Sequence, residues 1–370
     1  MRARTKIALG TLALVLVAAT AAWSFRGEIA VALVKRTVEQ ALTGDPLAAL
    51  PDGLHLGLCG AGSPFADARR AGPCVAVIAG RRLFVVDAGD GAARNLQLMN
   101  LPPGQIEAVL LTHFHSDHID GLGGVMVQRW VGGGHERPVP VHGPTGVEAI
   151  VAGFNQAYAA DRGYRVAHHG SATVRPAGAG GEARPFQLGA PRAIVARAEF
   201  REVTVLESEG LKITAFEVSH APIEPAVGYA FTYKGRRLVI SGDTTADARV
   251  ETAAKGADLL VHEALSPRLV GIIGAAAKTA GRENIAKIMA DIVDYHATPE
   301  QAAALAQRAG ARHLLLHHIV PALPSGLLEG PFLGKARTLF SGTVQVGRDG
   351  DFISLPAGSD AILVSNRLRQ

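Results

Sequence analysis

The sequence predicts an α/β fold, and three stretches carry that prediction. "QIEAVLL" (105–111) is a short apolar run with β-branched members, as a buried strand has. "GLGGVMVQRWV" follows at once as a glycine-rich start and a helix. "LKITAFEVSH" (211–220) alternates like a half-buried strand, and "RRLVISGDTT" and "ARHLLLHHIVP" are apolar strands that end in polar residues. Strands interleaved with helices are the α/β pattern.

The chain bounds come next. It has 370 residues, 48% hydrophobic, with 43 Gly and a formal charge of +4. That length allows one large domain or two small ones. No Lys/Arg block reads as a nucleic-acid stripe, so the pI of 9.2 does not by itself indicate such a partner. There is no internal repeat and no low-complexity tract.

Taken in order, residues 1–25 open with basic "MRARTK" and continue as apolar "IALGTLALVLVAATAAW". This pattern predicts an export signal or a short membrane anchor, with the positive end held in the cytoplasm. The body is then expected to be exported, either periplasmic or anchored on the outer face of the cytoplasmic membrane. Residues 26–53 read as an amphipathic helix and linker, and 54–370 as the domain. "LHLGLCG" and "GPCVAVIAG" read as two strands flanking a loop. Cys59 and Cys74 stand in them, either bridged or as two small buried thiols.

The chemistry concentrates after "QIEAVLL". His113, His115, Asp117 and His118 fall within six positions of "LLTHFHSDHIDGLGG", on a strand-to-helix loop. Imidazole and carboxylate suit zinc and similar divalent ions. His113 and His115, two apart, can point the same way, and Asp117 and His118 then address a neighbouring point. That arrangement suits two metals rather than one. A two-metal site needs further ligands, and three strand ends offer them: His220, Asp243, and the pair His317 and His318.

The order H-x-H-x-D-H, His, Asp, His resembles the metallo-β-lactamase fold superfamily, on "HFHSDH", "VSH", "SGDT" and "LLLHHIVP", with "FVVDAGDG" as its early Asp-containing turn. The resemblance runs from about Leu54 to about Ile362 and implies a four-layer αββα sandwich with two metals at one edge. It assigns His113, His115 and His220 to one metal, and Asp117, His118 and His318 to the other. Asp243 bridges them, Asp87 orients a ligand loop, and Asp117 also counts among the catalytic residues. The ions expected are zinc, with manganese or iron as alternatives.

Within the superfamily, "LGLCGAGSPFADARRAGPC", "ADLLVHEAL" and "YHATPEQAAALAQRAGARHLLLHH" resemble elements of RNase Z-like enzymes. That implies His296 as the group that protonates the leaving group, Glu263 as a residue orienting a histidine, and His262 as a supporting neighbour. Such enzymes are often dimers, which leaves a homodimer open. One departure stands out. The arm that grips tRNA in RNase Z lies between the His and Asp matching His220 and Asp243, and here only one hairpin's worth of chain joins them.

Residues 141–170 read as a strand, a turn, a helix and an irregular stretch rich in Tyr, Arg and His. This resembles exported metal-dependent arylsulfatases, so Tyr158, Arg165 and His169, with Asp161, Tyr164 and His168, are candidates for a substrate wall suited to an anionic ester. "RPAGAGGEARPF" (175–186) reads as a flexible loop. The expectation is therefore an exported binuclear zinc hydrolase of phosphate or sulfate esters acting on a small anionic substrate. Nucleic acid is not expected as a partner, and membrane contact is confined to the N-terminal segment. The alternatives are an RNase Z-type phosphodiesterase or endoribonuclease, a β-lactam or lactone hydrolase, and a metal-binding envelope protein without turnover.

Overall fold

The computed structural model describes Thr11, Thr20 and residues 22–368. The expected export signal at 1–25 lies outside the described residues, save Thr11, Thr20 and 22–25. Among the described residues, no helix is long and apolar enough to cross a membrane. The chain divides into two compact units, Met1–Ala49 and Leu50–Gln370. The first holds one long helix, Arg26–Thr43.

The second unit is built on two sheets. The first contains β1 (Gly53–Gly60), β2 (Cys74–Ala79), β3 (Arg82–Val86), β4 (Ile106–Leu110), β5 (Val139–Pro144) and β6 (Gly181–Phe186). A two-stranded ribbon follows, β7 (Ala193–Val195) and β8 (Ala198–Phe200). The second sheet takes β9 (Glu202–Ser208), β10 (Leu211–Glu217), β11 (Val227–Tyr233), β12 (Arg236–Ile240), β13 (Leu259–Leu265), β14 (His313–Val320) and β15 (Thr343–Val346). The chain then returns to the first sheet as β16 (Asp351–Pro356) and β17 (Leu363–Asn366). Strand orders are 17-16-1-2-3-4-5-6 and 15-14-13-12-11-10-9.

Alternation places the core. Leu54, Leu56 and Leu58 of β1, Phe84 of β3, and Leu259 and Val261 of β13 meet between the sheets. The residues between them on β13 and β14, such as Leu260, Leu314 and Leu316, face outward onto Ala302, Leu305 and Ala306 of the helix Pro299–Ala309. Strands covered on both sides read as continuous apolar runs, and β13 and β14 are buried along their whole length. The helices Ala92–Leu98 and Leu122–Gly133 cover the far side of the first sheet. The order is helix, sheet, sheet, helix, and the α/β four-layer expectation holds.

Two local expectations are corrected. Residues 159–169 are a helix, Ala159–His169, not an irregular stretch. None of its residues is buried, so it does not pack into the core. Residues 175–186 are not a flexible loop: they form a short 3-10 turn, Pro176–Gly178, and the edge strand β6. That edge strand is largely solvent-facing, carries a Pro and follows a Gly-rich stretch, which disguised it. Cys59 and Cys74 form a disulfide with Cα atoms 5.0 Å apart.

Candidate metal centre

The centre lies at one edge of the sandwich, where both sheets contribute. β4 delivers the chain to Thr112 and His113, and the short helix Ser116–Ile119 presents Asp117 and His118. Across the seam, the turns after β10 and β12 bring His220 and Asp243, and β14 brings His318. His113, His115, His220 and Asp243 form one group, and Asp117, His118 and His318 a second, each with ligand atoms within 4.8 Å of one another. Asp243 Oδ2 joins them. It lies 3.3 Å from His118 Nε2, 3.2 Å from His318 Nε2, 3.8 Å from His113 Nε2 and 4.0 Å from His220 Nε2.

Local backbone explains why these residues converge. Gly242, just before Asp243, has φ +63°, and a Cβ there would stand 2.7 Å from the Val227 carbonyl oxygen. Glycine is thus required for the turn that aims Asp243 inward. His318 sits at a bulge: Glu263 pairs with His317 and Ala264 with Ile319, so His318 is the extra residue, with φ +46°. The bulge re-aims its ring from the outward side onto the centre. His317 stays buried in the sheet, outside both groups, with neither ring nitrogen hydrogen-bonded. Burial pushes its imidazole down to about 3.

The neighbours fix which ring nitrogen faces inward. Asp87, a non-glycine residue at φ +56°, accepts from Thr112 N–H and the Thr112 hydroxyl, both at 2.8 Å. It also lies 2.8 Å from His118 Nδ1. His220 Nδ1 donates to the Tyr295 carbonyl at 2.9 Å. His118 Nε2, His220 Nε2 and Asp243 Oδ1 are buried with no hydrogen-bond partner among the described residues. Buried polar atoms are normally paired. Unpartnered buried atoms on His118, His220 and Asp243, within an all-His/Asp set that forms two groups, fit a pair of divalent ions.

The electrostatics agree. Burial alone would raise the Asp243 carboxyl, but His318, His118 and His113 around it hold it well below the usual carboxylate range. Burial pulls His118 down, yet Asp243 and Asp87 lift it well above an ordinary histidine. Burial takes His113 well below the usual value. Anionic and cationic groups are thus packed as a polar knot in an otherwise dry interior.

A cavity of about 350 Å³ opens over this centre, with His115, Asp117, Asp243, His296 and His318 on its polar side. His296 Nδ1 lies 3.3 Å from Glu263 Oε1. Burial lowers the His296 imidazole, but Glu263 outweighs it and the net shift is upward. Glu263 Oε1 also accepts from Ala297 N–H at 2.7 Å, which ties it to the segment carrying His296. His262 follows the outward side of β13. Its Nδ1 is 2.8 Å from the Glu263 carbonyl oxygen, and it belongs to neither group.

The expected substrate wall is not brought here. Tyr158 and Arg165 line a separate cavity beside Arg94 and Gln97, and Arg165 donates to Asp161 at 2.7 Å. His169 is exposed, its ring against His168. The sequence reading missed the other side of the cavity, formed by Pro64, Phe65, Ile288, Ile292, Tyr295 and Val320. Only spacing in three dimensions joins these residues. A larger cavity, about 600 Å³, lies elsewhere, and among its lining residues Arg70 pairs with Asp67 and Arg348 with Glu329.

A family model described as "Beta-lactamase superfamily domain" matches residues 82–319. Ribonuclease Z of Mycobacterium avium (strain 104) is 35% identical over 298 residues, spanning 80% of this chain and 96% of that protein. Ribonuclease Z of Mycolicibacterium gilvum is 34% identical, spanning 80% and 94%. Among solved structures, the metallo-beta-lactamase fold protein YhfI from Bacillus subtilis superposes with a TM-score of 0.57 at 20% identity, over 82% of this chain and all of that one. The short form of human tRNase Z gives 0.54 at 20% identity, over 82% and 99%.

These relatives correct two expectations. The hydrolase of phosphate or sulfate esters acting on a small anionic molecule is displaced, because relatives matched over nearly their whole length carry the name Ribonuclease Z. The exclusion of nucleic acid falls with it. That exclusion rested on the expected export of the body and on the short connection between His220 and Asp243, which contains the tight hairpin β11–β12.

Proposed function

The chain belongs to the beta-lactamase superfamily as a metal-dependent hydrolase, and from that premise we propose that it is an RNase Z-type phosphodiesterase that cuts RNA. The observation that supports this best is the pairing of two His/Asp groups through Asp243 with a histidine–carboxylate couple, His296 and Glu263, over one cavity.

In this reading His113, His115 and His220 hold one ion, Asp117, His118 and His318 the other, and Asp243 lies between. Two divalent ions there supply charge neutralisation for the phosphate and an acidified water as nucleophile. The protein's own groups do the rest. Asp87 and the Tyr295 carbonyl fix the His118 and His220 rings, so that Nε2 of each faces the centre. His296, at the cavity wall, donates a proton to the departing ribose oxygen, and Glu263 keeps its ring oriented and charged. The ions are proposed to be zinc. The basic then apolar N-terminus and the Cys59–Cys74 bridge support delivery of the body out of a reducing compartment.

The test is cleavage of a single-stranded RNA, a 3′-extended tRNA and bis(4-nitrophenyl) phosphate by protein loaded with zinc or manganese, beside Asp243→Ala. RNA cleavage that disappears in the variant supports the reading. Cleavage of neither RNA by protein carrying two ions per chain refutes it.

A further inference from the structure

We propose that the apolar side of the cavity is a subsite for one unpaired nucleobase next to the scissile phosphate, with Phe65 and Ile288 as its specificity-determining residues. This rests on the phosphodiesterase reading above. The two sides of the cavity differ in kind. One carries the His and Asp groups, and the other carries Phe65, Ile288, Ile292, Tyr295 and Val320.

A phosphate backbone gains nothing from such a wall, because its oxygens want donors and cations. A flat base does gain, since every base has a π-face that stacks on aromatic and apolar side chains. Size points the same way: about 350 Å³ admits a nucleotide-sized group and no paired helix.

Leu265, Val270, Met289, Ile292 and Val320 form a buried cluster, against which Phe65 and Tyr295 pack with part of their surface left open to the cavity. Ile288, by contrast, is 51% exposed at the mouth, and Phe65 is only half-buried. Neither contributes to the two metal-type groups.

The surface is preformed. Phe65 stands on the loop joining β1 to β2, which the Cys59–Cys74 bridge closes at its base. The Ser63 hydroxyl donates to the Ile319 carbonyl at 3.0 Å, beside the bulge that carries His318. Asp349 accepts from Ala61 N–H and Ala71 N–H at 3.0 and 2.8 Å. A loop so fastened presents Phe65 at a fixed distance from the centre, so little ordering is needed when a base arrives. The enzyme therefore reads an unpaired nucleotide at its cleavage point.

The test uses the full chain loaded with zinc and measures binding of AMP and of ribose 5-phosphate by calorimetry. The two probes differ only by the base. AMP should bind roughly tenfold tighter or more, as base stacking commonly confers. Phe65→Ala and Ile288→Ala should each shrink that ratio several-fold while zinc content stays unchanged. A ratio near one in the parent protein, or a ratio untouched by both variants, overturns the subsite. RNA cleavage together with a ratio near one would remove the subsite and leave the nuclease reading. A base-dependent ratio without cleavage of any RNA would do the reverse.

Discussion

The Asp87 carboxylate and the His118 ring meet at 2.8 Å, deep in the seam between the sheets, with Thr112 donating twice to the same carboxylate. Removing the carboxylate frees the ring and orphans the Thr112 N–H. Asp87→Ala should therefore weaken zinc binding about 10–100-fold, read by competition against a chromophoric chelator. Unchanged affinity would mean that His118 is held by something else.

The His296–Glu263 couple predicts a dependence on the leaving group. A ribose oxygen needs a proton as it departs, whereas 4-nitrophenolate leaves without one. His296→Ala should cut kcat on RNA about 10²–10⁴-fold, and much less on bis(4-nitrophenyl) phosphate. Glu263→Gln should show a milder form of the same split, and the double variant should be no worse than His296→Ala alone. Equal losses on both substrates would count against His296 as the proton donor.

Asp349 predicts a pH effect away from the centre. Burial pushes its carboxyl up to about 6, against the pull of Ala61 N–H, Ala71 N–H and Asn95. A carboxyl raised in the folded state binds its proton more tightly there than in the unfolded chain. Its contribution is thus fully present below pH ~4 and is lost as pH rises through about 6, on the order of 3 kcal/mol in all. Urea midpoints should show this as a downward slope between pH 4 and 7 that Asp349→Asn lacks. Parallel curves for the two proteins would sink the assignment.

The Cys59–Cys74 bridge closes a loop of sequence separation 15. By the loop-closure argument, Cys59→Ser with Cys74→Ser should cost about 3 kcal/mol of unfolding free energy. Reduction of the parent protein with dithiothreitol should reproduce most of that loss. If both leave the urea midpoint where it was, the bridge is not formed in solution.

Legibility in the sequence followed the range of the contacts. His113, His115, Asp117 and His118 announce themselves because four metal-type side chains share one loop. His220, Asp243 and His318 are legible only as polar residues closing apolar strands, and nothing local says that they meet. The choice between His317 and His318 turns on a bulge in the β13–β14 pairing, which has no local signal. Phe65 and Ile288 stand far apart in the chain and look like ordinary core residues until the fold sets them on one wall. A resemblance suggests Tyr158, Arg165 and His169 as a substrate wall, and the structure sets Tyr158 and Arg165 on a cavity of their own, with His169 exposed. The short β11–β12 connection misleads for a different reason: it reads as excluding RNA, whereas relatives matched over nearly their whole length carry the name Ribonuclease Z.

The seam has a consequence for how the molecule is made. Four of the metal-type side chains hang from the end of β4, in the first sheet, and three from the second sheet. Neither sheet alone gathers either group, and the last contributor, His318, is synthesised some two hundred residues after the first, His113. A nascent chain that has emitted only its first half displays a loose histidine loop with no complete seat for an ion. Charging with metal would therefore be a late step, open only once the chain has passed His318. An ion once seated would tie the β4 end of the first sheet to the second.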